Sequence, residues 1–504
     1  MASEAGEQES LISEKSDVEN DEGQSFHSKL TEKKRLSVFV GAVFIVGTMC
    51  GSGILAVPKA LVDSGWAGIP LMIVCGLLSS YTGSLLGKCW TVLRKRYPEY
   101  EEDYIADPYP TIGFRAAGKW GKYITRICIL LTLIGAGTVY LLLIAGNMGN
   151  LIHKIDQKDF HTCYIVLIVT AFLIPLTWLG TPKDFWQAAI IAAATSAIAG
   201  ILIVAGIAKM APSQPPTTHE NPSFTSFFTA FGTILFAFGG ASVFPTIQVD
   251  MKNPDKFPYS VIIGIMTTLS LYLPVAISGF IVFGDRMNQS NILDEMEGGP
   301  ILYTVIALIT SHLMMAYLIV MNPINQDLER FLGIEAKFGW KRCVLRSLTT
   351  CGIAFLGLSI PHFGIILSLV GGSTVTATNF VFPPLFYVLL SRQKEPADAP
   401  GELSKYHEEM IYTAVSGDGT PPRSKDKEES ASSTDLATES ETHARLQWEQ
   451  IEIPLYIKIL LGEIIFIGVV GGIASTFSII WSLANGSSGF TVPCYVNWAT
   501  ADAY

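Results

Sequence analysis

Apolar residues in this 504-residue chain come in long blocks separated by short polar stretches. A helix needs roughly 20 predominantly apolar residues to cross the hydrocarbon core of a bilayer. Eleven blocks meet or approach that length, at about 38–62, 66–93, 123–151, 163–181, 186–209, 224–248, 258–284, 300–322, 341–360, 363–391 and 453–484. The ninth is the most polar, because Lys341, Arg342 and Arg346 crowd its start. The pattern predicts an all-α polytopic membrane protein of eleven transmembrane helices. Spans 1–10 occupy 33–391 and span 11 occupies 453–484, with a tail at 1–32, a linker at 392–452 and a second tail at 485–504.

Two of the blocks are interrupted at matching places. Span 1 contains Gly51-Ser52-Gly53-Ile54-Leu55-Ala56-Val57-Pro58, and span 6 contains Gly239-Gly240-Ala241-Ser242-Val243-Phe244-Pro245. A bilayer offers no water to bare backbone groups, so a broken helix survives there only when it lines a cavity or is packed in protein. A matched pair of breaks points to a secondary transporter with its site near the midplane. Each break opens a set of five spans, which predicts a 5+5 inverted repeat with one further helix. Thr48, Cys50, Gly51, Ser52 and Gly53 are the candidate binding residues of the first break. Glycine lets a ligand approach the backbone closely, and the N–H groups that start the second half-helix make a positive pole suited to a carboxylate. Pro58 fits a break because its ring donates no hydrogen bond. Phe238, Gly239, Gly240 and Ser242 are the candidates of the second, where unwound carbonyls would hold an ammonium. A ligand carrying both charges at one carbon, an α-amino acid, matches such a site. Close helix packing through glycine is the competing reading of each break taken singly.

Charge sets the orientation. The formal net charge of −10 resides in the tails: residues 1–30 carry eight acids and two lysines, and residues 392–452 carry fourteen acids and seven bases. This acidity argues against a nucleic-acid partner. Lys33, Lys34, Arg35, Arg94, Lys95, Arg96, Lys119, Lys122, Arg126, Arg330, Lys337, Lys341 and Arg342 all fall on one side if the N-terminus is cytosolic, as the positive-inside rule requires. Eleven spans then place the C-terminus lumenal or extracellular. The sequons at Asn288 and Asn485 both land on that far side as glycosylation candidates. Cys163 and Cys494 are expected there too, where disulfides persist, and are candidates to pair. No cleaved signal peptide is expected, because the N-terminus is polar and acidic.

The sequence resembles the amino acid/auxin permease family. The carrying residues are the Gly51–Pro58 run with Gly65-Trp66, and Phe236-Ala237-Phe238-Gly239-Gly240-Ala241-Ser242-Val243-Phe244-Pro245-Thr246-Ile247-Gln248, continued by Asp250-Met251-Lys252-Asn253-Pro254-Asp255-Lys256-Phe257-Pro258. It is most similar to vacuolar and vesicular neutral amino acid transporters and their proton-coupled lysosomal relatives. The resemblance implies the leucine-transporter-like fold and ion-coupled transport of small neutral amino acids. Lys59 departs from it, because members often carry an aromatic residue there.

Polar residues inside spans are costly and usually functional. His312 in span 8 is a candidate proton carrier, with a hydrogen-bonded packing histidine as the alternative. By resemblance to sodium-coupled relatives of this fold, Thr310 and Ser311 would instead complete a sodium site with span 1 carbonyls. Tyr140 in span 3 is a candidate for the substrate carboxylate, against a structural tyrosine. Lys59 and Asp63, one turn apart, are expected to pair. Asp250, Lys252, Asp255 and Lys256 are read as a capping cluster or a gate. Glu7, Leu11 and Ile12 form an acidic dileucine-type signal for sorting adaptors, favouring a lysosomal or vacuolar membrane over the plasma membrane. No metal-ligand spacing, phosphate-cradling loop or nucleophile elbow is present, so neither a cofactor nor an enzyme is expected. An amino acid sensor signalling through its tails, and a channel, are the rival functions.

Overall fold

The computed structural model describes residues 36–393 and 451–485, apart from 98, 103–104, 106, 158–160, 179–184, 336–337 and 361. Helix forms along every apolar block. The first yields α1 (Val38–Met49) and α2 (Ser52–Ser64). Then follow α3 (Gly68–Arg96), α4 (Pro108–Asp156), α5 (Thr162–Trp178) and α6 (Phe185–Met210). The sixth block yields α7 (Phe224–Ala237) and α8 (Phe244–Val249). After them come α9 (Phe257–Phe283), α10 (Pro300–Phe331), α11 (Trp340–Ser359), α12 (Phe363–Val370), α13 (Phe382–Arg392) and α14 (Leu455–Ala484). Serine caps open both interrupted blocks: Val40 N donates to Ser37 Oγ at 3.2 Å, and Ser226 N donates to Ser223 Oγ at 3.1 Å.

Seven helical runs among the described residues are long and apolar enough to cross a bilayer. The difference from eleven has physical causes. Breaks leave α1 and α7 too short to count alone, α5 has 17 residues, and α11 carries three cations in its first two turns.

Two further departures concern helix shape. Span 3, expected at 123–151, belongs to a helix that begins at Pro108 and bends at Ala117 and Gly118. Gly118 has φ +67°, a conformation that only glycine adopts cheaply. The bend folds 108–116 back along the main helix, where Gly113 and Gly121 let the two backbones touch. The tenth block is helical throughout, but Gly371–Val375 and Ala377–Val381 have widened, π-type turns between α12 and α13. Such turns are rare and gather at functional sites.

α1 packs on α6 and α9, α2 on α7 and α9, and α3 on α9, while α4 packs on α10 and α5 on α11. α12 and α14 flank α7, where Gly232 and Gly371 bring two backbones into contact. Small residues permit this closeness, which is how helices gain packing energy in lipid. The outer face of α14 presents Phe466, Ile467, Ile473 and Phe477, the surface expected against acyl chains.

The two ends of the bundle differ. At one end Arg346 Nε and Arg342 Nε donate to Glu329 Oε1 at 2.6 and 3.1 Å, all three residues being buried. At the same end Arg126 pairs with Asp327 at 2.9 Å, and Arg330 pairs with Asp107 at 3.1 Å and with Asp327. Leu36 and Met251 form a parallel bridge that ties the start of α1 to the end of α8. Asp250, Lys252, Asp255 and Lys256 are exposed around it. At the other end, Ser290 and Ser482 line one cavity of about 120 Å³ together with Lys59 and Asp63, so both sequons stand at that end. Lys59 and Asp63 pair at 2.9 Å.

Candidate functional site

The first interruption is at Cys50 and Gly51. Cys50 N still donates to Val46 O, whereas Gly51, with ψ −93°, leaves the helical path. α2 begins at Ser52, with no side chain among the described residues capping its N-terminus. The break therefore lies earlier than the glycine-to-proline run suggested. Gly53 is already helical, and Pro58 lies inside α2, packed on Gly279. The second interruption spans Phe238 to Val243, and Pro245 occupies the first turn of α8, where a missing N–H costs nothing.

The two breaks adjoin. A β-carbon on Gly240 would lie 3.1 Å from Met49 Sδ and 2.7 Å from the Phe244 ring. One on Gly51 would lie 2.7 Å from His312 Nε2, and one on Gly53 would overlap the Tyr272 hydroxyl. The glycines are thus required by what presses on them.

His312 is buried on α10 beside the first break. Its Nδ1 is 3.1 Å from Ala192 O and 3.1 Å from Ser196 Oγ. A carbonyl only accepts, so Nδ1 carries the proton in the neutral ring and Nε2 presents a lone pair. That Nε2 is buried with no hydrogen-bond partner among the described residues. Tyr140 on α4 is buried beside Ser52, at the start of α2. Cys50 Sγ donates to Thr268 Oγ1 at 3.6 Å.

Other candidates separate from this group. Thr48 turns back, its hydroxyl donating to Ile45 O at 3.0 Å. Ser242 is half-buried at the rim of the second break. Thr310 faces inward but accepts from Asn147 Nδ2 at 3.4 Å, and Asn291 Nδ2 donates to Asn147 Oδ1 at 3.1 Å. Ser311 is exposed, and its hydroxyl donates to Ala307 O. Neighbours on a helix point about 100° apart, and here Thr310 faces inward while Ser311 faces outward. Asn288 is exposed and Asn485 is exposed. Cys163 is disulfide-bonded. Cys494, Glu7, Leu11 and Ile12 lie outside the described residues.

Several residues that complete the site carried no motif. Asn379, in the widened turns of the tenth block, donates from Nδ2 to Phe238 O at 2.7 Å and accepts from Ala241 N at 3.2 Å. Tyr272 on α9 donates to Met49 O at 2.7 Å, with Ala237 O at 3.3 Å. The carbonyls expected to meet a ligand's ammonium are thus already held by side chains, although each keeps a second lone pair. A buried asparagine and a buried tyrosine at mid-span were the available signal.

The segment between α9 and α10 closes the sequon end. Met287, Ile292, Leu293 and Met296 are buried in it, and Lys59 Nζ donates to Met287 O at 2.8 Å. Asn150 Nδ2 donates to Asp294 Oδ1 at 2.8 Å. Burial pushes the Asp294 carboxyl up to about 6, against the Asn150 bond and with Glu295 adding repulsion.

The sequence profile described as transmembrane amino acid transporter protein matches residues 34–400. The chain belongs to the transmembrane amino acid transporter family. Among curated relatives, amino acid transporter AVT1C of Arabidopsis thaliana is 26% identical over 397 residues, covering 76% of this chain and 69% of AVT1C. Amino acid transporter AVT1D of the same plant is 25% identical over 360 residues, covering 69% of this chain but 62% of AVT1D. Of solved structures, Mhp1, a nucleobase-cation-symport-1 family transporter in a closed conformation with bromovinylhydantoin bound, superposes with a TM-score of 0.50. It covers 94% of this chain and 97% of its own at 14% identity, which speaks for the fold alone. This family member is a multi-pass membrane protein of leucine-transporter-like fold.

Proposed function

We infer that this protein is a secondary active transporter that moves small neutral amino acids by alternating access, coupled to protons. The observation that carries the reading is the meeting of two broken helices at Met49–Gly51 and Phe238–Ser242, with the His312 Nε2 lone pair turned onto Gly51. The uncapped start of α2 supplies N–H groups and a positive pole for a carboxylate, and Tyr140 stands beside it. No acidic or basic side chain occurs in 48–53 or 238–243, so nothing there balances a charged substrate side chain. Tyr140, Phe238, Phe244 and Tyr272 crowd the junction, which favours small substrates.

Proton coupling is favoured over sodium because His312 offers an empty basic nitrogen, whereas Thr310 is engaged and Ser311 points away. The packing of α1 and α2 on α7 and α9, and of α4 and α5 on α10 and α11, supports two five-helix units in a 5+5 inverted repeat. The basic end is cytosolic by the positive-inside rule, which leaves Asn288 and Asn485 for glycosylation on the lumenal side. Glu7, Leu11 and Ile12 would address the protein to lysosomal or vacuolar membranes through sorting adaptors.

The test is uptake of a labelled amino acid panel into proteoliposomes, with pH and Na+ varied independently. Saturable uptake of small neutral amino acids driven by an inward proton gradient supports the reading. Binding without net uptake favours the sensor, uptake that follows Na+ alone replaces the coupling ion, and flux that never saturates indicates a channel.

A further inference from the structure

Tyr272 lies near the middle of α9 and is fully buried. Its hydroxyl reaches two carbonyls: Met49 O at 2.7 Å and Ala237 O at 3.3 Å. Met49 is the last residue of α1 and Ala237 the last of α7. A third helix therefore touches the same position in each interrupted helix, immediately before its break. In sequence the two partners are 223 and 35 residues away. A tyrosine that merely satisfies its hydroxyl needs one acceptor, and any would serve.

The phenol has one proton for two acceptors. Its stronger bond goes to Met49 O by distance, and Ala237 O takes the weaker share. Displacement of either half-helix away from the other costs that bond, and a carbonyl left bare in an apolar interior is penalised. The hydroxyl is also pressed from the side: a β-carbon on Gly53 would overlap it. The ring is held by Phe238, with centroids 5.7 Å apart. Asn379 does something different, since both its bonds stay within the second break.

We propose that Tyr272 is the positioning residue that keeps the two breaks in register, its single hydroxyl proton linking the ends of α1 and α7 so that they shift as one body during transport. The kinetic part rests on the transport reading, and the structural part does not.

Tyr272→Phe keeps the ring and deletes the link. Cys50 follows Met49 directly and is fully buried, so it reports on the break, while the equally buried Cys75 and Cys89 report on the fold at large. The full chain in lipid nanodiscs is treated with a membrane-permeant maleimide, and labelling of each cysteine is followed by peptide mass spectrometry. The expected result is a rise of about tenfold in Cys50 labelling with Cys75 and Cys89 still protected, because thiol modification tracks local opening. In proteoliposomes the maximal uptake rate should fall about tenfold while KM moves by less than about threefold. Cys50 remaining protected overturns the proposal. So does a parallel rise at all three cysteines, or a variant that does not fold, because each makes Tyr272 a stability residue. Gly53→Ala, which pushes the hydroxyl aside without removing it, should reproduce the Cys50 labelling. If the unsubstituted protein carries no amino acid, the transport reading fails while the labelling result still judges Tyr272.

Discussion

The two breaks look alike in sequence and differ in how they are held. The second is braced internally. Asn379 clamps Phe238 O and Ala241 N, and its own turn bonds run from Gly239 N to Phe236 O and from Val243 N to Gly240 O. The first has little of this. Its last helical carbonyl depends on Tyr272, and the His312 Nε2 facing it has no hydrogen-bond partner among the described residues. The first break is thus the reactive surface and the second its rigid counterpart. A site that must bind and release needs one side with unspent hydrogen-bonding capacity and another that keeps its shape.

That contrast is broken most directly by filling the first break. Gly51→Val places a β-carbon 2.7 Å from His312 Nε2. Uptake should drop by about 100-fold or more, since a misplacement near 1 Å can cost that much, while Gly146→Ala, which meets open space, leaves uptake unchanged. Removing the brace comes next. Asn379→Ala strands two buried backbone groups at about 1–3 kcal/mol each. It should lower the thermal midpoint of the purified protein and reduce uptake by more than about tenfold; an unaltered midpoint would show that the second break needs no clamp.

His312→Gln sharpens the comparison on the reactive side. Loss of a proton-carrying group costs about 10²–10⁴-fold in enzymes, and a carrier that also uses binding energy should lose about tenfold and show a flattened pH profile. A full proton-driven profile in the variant would remove His312 from coupling.

A smaller effect is expected at the closing segment. Asp294 is pushed up to about 6 by burial. A carboxyl raised in the docked state binds its proton more tightly there, so docking is strengthened at low pH and loses that contribution as pH rises through about 6. Accessibility of the 284–299 segment to protease should increase between pH 5 and 7, and Asp294→Asn should abolish the change. Smallest of all, Ser311→Ala should leave uptake within about twofold at any Na+ concentration, as expected of an exposed side chain. A Na+-dependent loss would restore the sodium site.

Helix content and the neighbourhood of both breaks were legible in the chain, because lipid forces backbone groups to bond within a helix and an apolar block reports that directly. The place of the first break was legible only to within a few residues. Pro58 was read as its partner, yet α2 runs through it, since one missing N–H is tolerated when the helix is packed by its neighbours. His312 was singled out for its rarity, but its direction toward Gly51 was not encoded locally. Ser311 was grouped with Thr310 by resemblance to sodium-coupled relatives, and only the packed helix showed that one faces inward and the other outward.

The sequence by itself determined an all-helical membrane protein with two interrupted segments and a strongly asymmetric charge distribution. These are one-dimensional properties, written in block length, glycine placement and lysine and arginine counts. Only the tertiary structure decided which side chains hold the interruptions. Asn379 and Tyr272 are more than 30 residues from each of the backbone atoms they bind, and such pairings depend on which faces α9 and the tenth block turn inward once packed. Facing in a helix surrounded by lipid and protein alike leaves little hydrophobic periodicity to read, so the polar contacts that set it emerge only when the helices meet.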